Sequence, residues 1–181
     1  MKLRGHDNNI KGRFKMNYKC INEIEGFSYK DCRIAGFEVE KDCITLVLEA
    51  LIVKKDNSQN TNYTDSYAGT TTARFVKGKI TDGVKDGYKY YDANDILINE
   101  VPDRKLTEEE LEKFPKQCEN AYLYFLNKNN DDIEDNKLSY SLGIEFEDES
   151  EGTVSDSYCL NILFEKAVFE WDRYMNRVQN G

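Results

Sequence analysis

The chain contains almost no histidine. Of its 181 residues only His6 is one, and it lies in a polar N-terminal segment. Histidine is the base, metal ligand or proton relay of most hydrolytic and metal-dependent sites. The sequence also lacks a phosphate-binding loop and a dinucleotide-binding fingerprint. These absences favour binding over catalysis, and we predict no catalytic residue, no metal site and no cofactor.

Long apolar runs are absent too. No stretch approaches the roughly 20 apolar residues that a membrane helix needs, and the basic N-terminus has no apolar core of a secretory signal. None of the five cysteines stands in a CxxC pair, and their spacing does not indicate zinc. We therefore expect reduced thiols, several of them buried, in a cytoplasmic protein without membrane contact. The cysteines are Cys20, Cys32, Cys43, Cys118 and Cys159.

Proline is rare, with only Pro102 and Pro115, and neither a flexible linker nor an internal repeat divides the chain. The length suits one domain with a substantial core. We predict a basic N-terminal arm over residues 1–19, with six Lys/Arg against one Asp, and a single domain over 20–181. The arm is a leader or solvated segment, or it contacts a phosphate backbone, or it folds back onto an acidic region of the chain.

Acidic residues outnumber basic ones, which gives a net charge of −9. Between Asp131 and Asp156 there are ten acids and one lysine. Nucleic-acid binding needs clustered Lys/Arg, so this balance argues against such a partner. A basic protein partner fits it, because complementary charge steers association.

Alternating apolar patterns predict most of the chain as strands. The run 27–39 reads as a strand with a bulge at Gly36, and 43–53 reads as a central strand covered on both faces. Residues 70–80 return to strand pattern with a turn at Lys77-Gly78. We expect further turns at Asp82-Gly83 and Asp86-Gly87, and short strands around Ala93-Asn94-Asp95. Runs at 138–146 and 158–164 predict an antiparallel hairpin, followed by a strand at 167–171.

Helical signals are few. Thr107 and Glu110 form a capping-box pattern, which predicts a helix from there to about Phe114, where Pro115 breaks or restarts it. The segment 121–126 fits a helix or a strand, and 172–179 is expected to form a short closing helix. The fold class is α+β, mostly β: an antiparallel sheet, curled or sandwiched, with one or two short helices packed on it.

The polar loop 54–69 is the most suggestive candidate binding surface, since loops of this length are often functional. The alternative is a mobile, solvated loop. Acidic residues of the 131–156 stretch are further candidates, and so is the single tryptophan, although a lone Trp at a strand end more often fills the core. The candidate binding residues are Asp56, Asn60, Tyr63, Asp65, Tyr67, Asp148, Glu149, Glu151 and Trp171.

Acids within apolar runs are the remaining chemical candidates. Glu49 stands out because a buried acid must be paired or have a raised pKa, and a salt bridge to Arg33 or Arg74 is the plainer explanation. Other such acids are Asp31, Glu170 and Asp172. The segment 127–138 superficially resembles a calcium loop but fails, because Asp132 replaces the glycine and Leu138 the final Glu.

Three short motifs carry a family resemblance. The chain reads Tyr29-Lys-Asp-Cys-Arg-Ile34, then an apolar strand at 44–53, then FEKAVFEWDRY at its end. This series resembles a loose group of small bacterial β-rich proteins whose first strand opens with FHD[CA]xI, although Lys30 here replaces the histidine. Some of those proteins are similar to immunity proteins of bacterial contact-dependent toxin systems. The resemblance implies a non-catalytic cytosolic protein, acidic enough to cover a basic toxin.

We therefore predict a bacterial, cytoplasmic interaction protein, immunity-like, that binds another protein through acidic surface loops. One alternative is a small-molecule or sugar-binding module in which tyrosines line a concave sheet. The other is a histidine-free hydrolase that uses paired carboxylates, and it requires two acids facing one cleft.

Overall fold

The computed structural model describes residues 15–130, 136–147 and 155–178. It contains sixteen strands, one α-helix and one 3-10 turn within those ranges. The fold is α+β and mostly β, as the sequence predicted. The strands are β1 (Tyr18–Ile21), β2 (Phe27–Ser28), β3 (Arg33–Glu40), β4 (Cys43–Glu49), β5 (Ile52–Val53), β6 (Ser66–Ala68), β7 (Thr71–Val76), β8 (Lys79–Lys85), β9 (Tyr88–Tyr91), β10 (Leu97–Val101), β11 (Arg104–Lys105), β12 (Tyr122–Lys128), β13 (Leu138–Glu145), β14 (Ser157–Phe164), β15 (Lys166–Trp171) and β16 (Tyr174–Arg177). The helix α1 is Glu108–Gln117, and the 3-10 turn is Ile24–Gly26.

Every described strand pair is antiparallel. The largest sheet has ten strands in the order β1-β15-β7-β4-β3-β12-β13-β14-β8-β11. A second sheet has the order β16-β6-β5-β2, and a third consists of β9 and β10 alone. The boundary predicted between residues 19 and 20 falls inside β1, and residues 1–14 of the predicted arm lie outside the described ranges.

The ten-stranded sheet is curled. Strands β7 and β14 are five places apart in it, which in a flat sheet would separate them by about 24 Å. Yet the rings of Phe75 on β7 and Phe164 on β14 are only 4.9 Å apart. The two halves of the sheet therefore face each other and enclose one continuous apolar core.

Several predicted elements are confirmed by the structure. The bulge in β3 lies between Ile34 and Gly36. Strands β13 and β14 form the predicted antiparallel pair, and β9 and β10 are the short strands predicted around Ala93-Asn94-Asp95. Thr107 and Glu110 form the reciprocal capping box at the start of α1. The ambiguous segment 121–126 is part of strand β12.

Other predictions were wrong. Residues 174–177 form strand β16 rather than a helix, because they pair with β6. Asp82-Gly83 lies inside β8, not in a turn. The helix continues through Pro115 to Gln117, since Phe114 and Pro115 are both buried and packing holds the last turn.

All five cysteines are unpaired, and Cys20, Cys32 and Cys118 are buried. Burial raises the pKa of each of these three thiols to about 12. They are neutral at physiological pH and act as small apolar side chains of the core. A neutral, buried thiol is a poor nucleophile, because the thiolate is the reactive form.

Candidate functional site

Two of the predicted binding residues in the loop 54–69, Asn60 and Asp65, form hydrogen bonds with the backbone of the same loop region. The Asn60 side-chain amide donates to the carbonyls of Val53, Lys54 and Thr64 at 3.0, 3.1 and 2.9 Å. Asp65 Oδ1 accepts from the Lys55 amide at 2.8 Å. These two predicted binding residues therefore have structural roles.

Two further loop residues remain available to a partner. Asp56 is exposed and Tyr63 is 91% exposed, at a backbone φ of 58°. Tyr67, by contrast, lies on β6, because residues 66–68 of the predicted loop form that strand. It donates its hydroxyl proton to Asp31 Oδ2 at 2.6 Å, which raises the pKa of Tyr67. The loop thus retains only part of the surface that the sequence suggested.

Trp171 lies in the core with no exposed surface. Its ring stacks on Tyr18 at 5.4 Å between centroids and meets Phe27 edge-on at 5.9 Å. The core interpretation is confirmed, and a partner cannot reach this residue. The remaining predicted binding residues, Asp148, Glu149 and Glu151, lie outside the described ranges.

The predicted burial of Glu49 is wrong. The outer face of β4 is only half-covered and Glu49 at its end is exposed. Neither predicted partner pairs with it, because Arg33 contacts the Tyr122 hydroxyl at 2.7 Å and Arg74 pairs with Glu170. A carboxylate at the end of a strand needs no buried partner when water reaches it.

The acids proposed for a hydrolase are mostly engaged elsewhere. Glu170 bridges Arg74 and Lys19, and Asp31 accepts from Tyr67. Asp172 Oδ1 is buried without a hydrogen-bond partner among the described residues, next to Gly69. Within the same residues, no three His, Cys, Asp or Glu side chains are arranged to hold a metal ion.

A small cleft lies beside Tyr67. Its volume is about 340 Å³, and Glu49, Tyr67, Arg173 and Met175 are among the residues that line it. Only one tyrosine borders it, whereas the small-molecule alternative needs several on a concave sheet. The concave side of the large sheet is instead filled by buried aromatic and aliphatic side chains, which counts against that alternative.

The most distinctive surface is one that the sequence did not single out, the hairpin of β9 and β10. Every residue of both strands is exposed. Because successive strand residues point to opposite faces, neither face of the hairpin is covered by the rest of the described chain. The hairpin and the residues at its base, 86–103, are called the hairpin arm below.

The hairpin arm carries an unusual number of exposed large apolar side chains. Ile98 is 68% exposed, Ile96 61% and Tyr91 53%. The others are Tyr88, Tyr90, Leu97 and Val101. Single exposed apolar residues are ordinary, but a contiguous group on one projecting element marks an interaction surface.

The hairpin arm is also held in shape before any partner binds. At its tip, Asp92 Oδ1 accepts from the amides of Asn94 and Ile96 at 2.8 and 2.9 Å. At its base, the Gly87 amide donates to Asp103 Oδ1 at 2.7 Å. A Cβ at Gly87 would collide with the Val101 carbonyl oxygen, so only glycine fits there. A pre-organised surface binds at a lower entropic cost.

The hairpin arm is acidic as well as apolar. Residues 86–103 contain five acids and one lysine, Lys89, whose ammonium contacts Glu100 at 3.1 Å across the strands. The signal in the sequence was the apolar triplet at 96–98, which follows two consecutive tyrosines, Tyr90 and Tyr91, after a four-residue polar turn. The alternation rules predicted the strands but not that both of their faces are bare.

Comparison of the chain with protein-family models, with curated proteins and with solved structures gives no match. In the part of the chain that the structure describes, no helix combines the length and apolar character needed to cross a membrane. The function is therefore inferred from the geometry of the chain itself.

Proposed function

We propose that this protein binds another protein, of basic surface, and that the hairpin arm is its principal contact. The observation that carries the proposal is the hairpin arm itself. Six large apolar side chains are exposed on its two strands and a seventh, Ile96, in the turn between them, and the rest of the described protein does not cover the strands. Aromatic side chains surrounded by charged residues are typical of interface cores with polar rims.

The charge of the hairpin arm supports a basic partner. Its acids stand beside the exposed tyrosines and isoleucines, and the whole chain has a net charge of −9. A partner with an apolar patch and surrounding Lys/Arg would gain both burial and electrostatic steering. The resemblance to immunity-like proteins of bacterial toxin systems fits the same role, a non-catalytic inhibitor that covers a basic toxin.

A cytoplasmic location belongs to the same proposal. Five unpaired thiols, three of them in the core, suit a reducing compartment. Disulfides are usual in small secreted proteins and none joins the cysteines here.

The test is capture of partners by the full-length tagged protein from a native-source lysate, at low and at high salt, with mass spectrometry of what is retained. The key variant replaces Tyr91 and Ile98 by serine, and the matched control replaces Ile21 and Met175, which are exposed to a similar degree on other strands. We expect the control variant to retain a basic protein at low salt and to release it at high salt. The hairpin variant should retain little or none of that protein, because its affinity is lower by about 100-fold.

An unchanged set of retained proteins in the hairpin variant would contradict the assignment of the contact. Retention that is indifferent to salt would contradict the basic partner. Charge reversal of Asp148, Glu149 and Glu151 tests the acidic stretch 131–156 separately, because a loss confined to that variant would move the contact from the hairpin arm to that stretch.

A further inference from the structure

A second surface lies at β3, which has an open edge. On one side β3 pairs with β4 along its whole length. On the other it pairs with β12 only at Arg33↔Tyr122, and just beyond, Ile34 exchanges hydrogen bonds with Ala121 and Asn120, both at 2.8 Å. From residue 35 to residue 40 no described strand lies beside this edge.

The backbone groups that face the open edge follow from the hairpin of β3 and β4. Its turn has two residues, 41 and 42, so the closing pair Glu40↔Cys43 exchanges both hydrogen bonds and the pairs alternate from there. The N–H and C=O groups of Val39 and Phe37 therefore point away from β4, toward the open edge. Among the described residues, no backbone or side-chain group bonds to them.

The bulge agrees with this assignment. An extra residue between Ile34 and Gly36 shifts the alternation by one position. Ile34 then faces the same edge as Phe37 and Val39, which its bonds to Ala121 and Asn120 show directly. The same edge of β3 is therefore hydrogen-bonded to β12 and its preceding residues at Arg33 and Ile34, and is free at Phe37 and Val39.

A groove separates this edge from the helix α1. Its volume is about 660 Å³, within the range of pockets that hold ligands. One wall is β3 from Ala35 to Glu40, and the other includes Glu112, Pro115, Lys116 and Glu119. Val39, at 45% exposure, gives β3 an apolar position at the groove.

The groove is mostly acidic, which favours a basic segment as its occupant. Glu38 and Glu40 line one wall and Glu112 and Glu119 the other, against the single basic residue Lys116. An extended segment that adds as a strand satisfies the free backbone groups, and its alternate side chains then meet these walls. Lysine or arginine at those positions would be attracted and acidic residues repelled.

We propose that β3 and α1 take an extended segment of a partner protein, in which lysine or arginine alternates with apolar residues, by strand addition at Phe37 and Val39. This inference does not depend on the hairpin arm, since different strands form the two surfaces. The competing explanation is that Glu38 and Glu40 only protect an edge strand from association.

The experiment uses full-length protein and a fluorescein-labelled octapeptide of alternating lysine and valine. Its controls are the glutamate–valine octapeptide and a lysine–valine octapeptide with alternate backbone N-methylation, which cannot pair as a strand. Fluorescence anisotropy measures affinity, and NMR hydrogen exchange reports on the Phe37 and Val39 amides. We expect saturable binding of the first peptide only, with exchange of both amides slowed by about tenfold or more.

Protein variants locate the site. Glu38→Lys with Glu112→Lys is expected to weaken binding by about tenfold or more. The charge-matched control, Asp82→Lys with Glu165→Lys, changes exposed acids on other parts of the chain and should bind as the wild type does.

Three results would overturn the proposal. The first is the absence of binding by any of the peptides, which would leave the acids as protection of the edge. The second is equal binding of the N-methylated or the acidic peptide. The third is protection of the Phe37 and Val39 amides in the free protein, which would show that a second copy or another part of the chain already occupies the edge. None of these results bears on the hairpin arm, whose test is the capture experiment.

Discussion

Glu110 is the residue with the clearest electrostatic role. Its carboxylate accepts from the Thr107 amide at 2.8 Å and from both terminal nitrogens of Arg104 at 2.9 Å. The ion pair with Arg104, followed by the bond from Thr107, lowers the pKa of Glu110 to about 2. The capping box was predictable because both of its members lie within four residues. The contribution of Arg104 was not, since it depends on how β11 leads into α1.

This geometry predicts a pH dependence. The unfolded chain binds a proton at Glu110 near pH 4.5, whereas the folded protein does so only near pH 2. The stabilisation is therefore complete above about pH 4.5 and is lost as the pH falls toward 2. Glu110→Gln should flatten the fall of the unfolding free energy over that window, measured by urea denaturation at a series of pH values. Glu108→Gln, in the same helical turn, is the control, and equal slopes in both variants would contradict the assignment.

At the scale of elements, local patterns predicted strands well where one face is buried, as in β13 and β14. They failed where the secondary structure of a segment depends on the strands that pair with it. The segment 174–177 has no strong alternation and becomes a strand because β6 offers a partner. The same limit hid the hairpin arm, because period-two alternation gives strand positions but not whether another layer covers them. It also hid the open edge of β3, which depends on where β12 and α1 lie.

Gly83 was predicted to mark a turn, but its role in the structure is to leave space for neighbouring side chains. It lies inside β8, where a Cβ would come within 2.7 Å of the Leu160 side chain and 2.9 Å of that of Leu111. Glycine here leaves room for the Leu160 side chain of the neighbouring strand β14 and for that of Leu111 on α1.

Gly83→Ala should therefore lower the unfolding free energy by about 1–3 kcal/mol, because Leu160 and Leu111 must move to accept the methyl group. Gly36→Ala is the matched control, since its Cβ would meet Val47 only at an ordinary 3.5 Å. Urea denaturation of the two variants checks the difference. An equal loss in both would show that backbone freedom, rather than the contact with α1, sets the cost.

At the scale of the whole molecule, the sequence predicted an antiparallel, mostly β fold but not how its sheets meet. The curl of the large sheet depends on contacts such as Phe75 with Phe164, whose positions are 89 residues apart in the chain. Such pairings have no local signature. The smaller sheet joins the same core through Phe27 on β2, which stacks on Phe169 of β15 at 4.5 Å.

Trp171 lies where these two sheets meet. It ends β15 in the large sheet, and its ring contacts Phe27 on β2 and Tyr174 on β16, both in the smaller sheet. Because one fully buried side chain packs against both sheets, neither can separate without exposing it to water. Trp171 is also the only tryptophan, so its fluorescence reports on this junction alone.

We therefore expect cooperative unfolding. The urea transition followed by Trp171 fluorescence should coincide with the transition of the β signal in far-ultraviolet circular dichroism, with equal midpoints and slopes. Trp171→Ala should lower the unfolding free energy by about 3–5 kcal/mol, measured by circular dichroism, because it leaves a cavity between the sheets. An earlier fluorescence transition, with the dichroism unchanged, would instead show that the smaller sheet detaches first and that the core is divided at this junction.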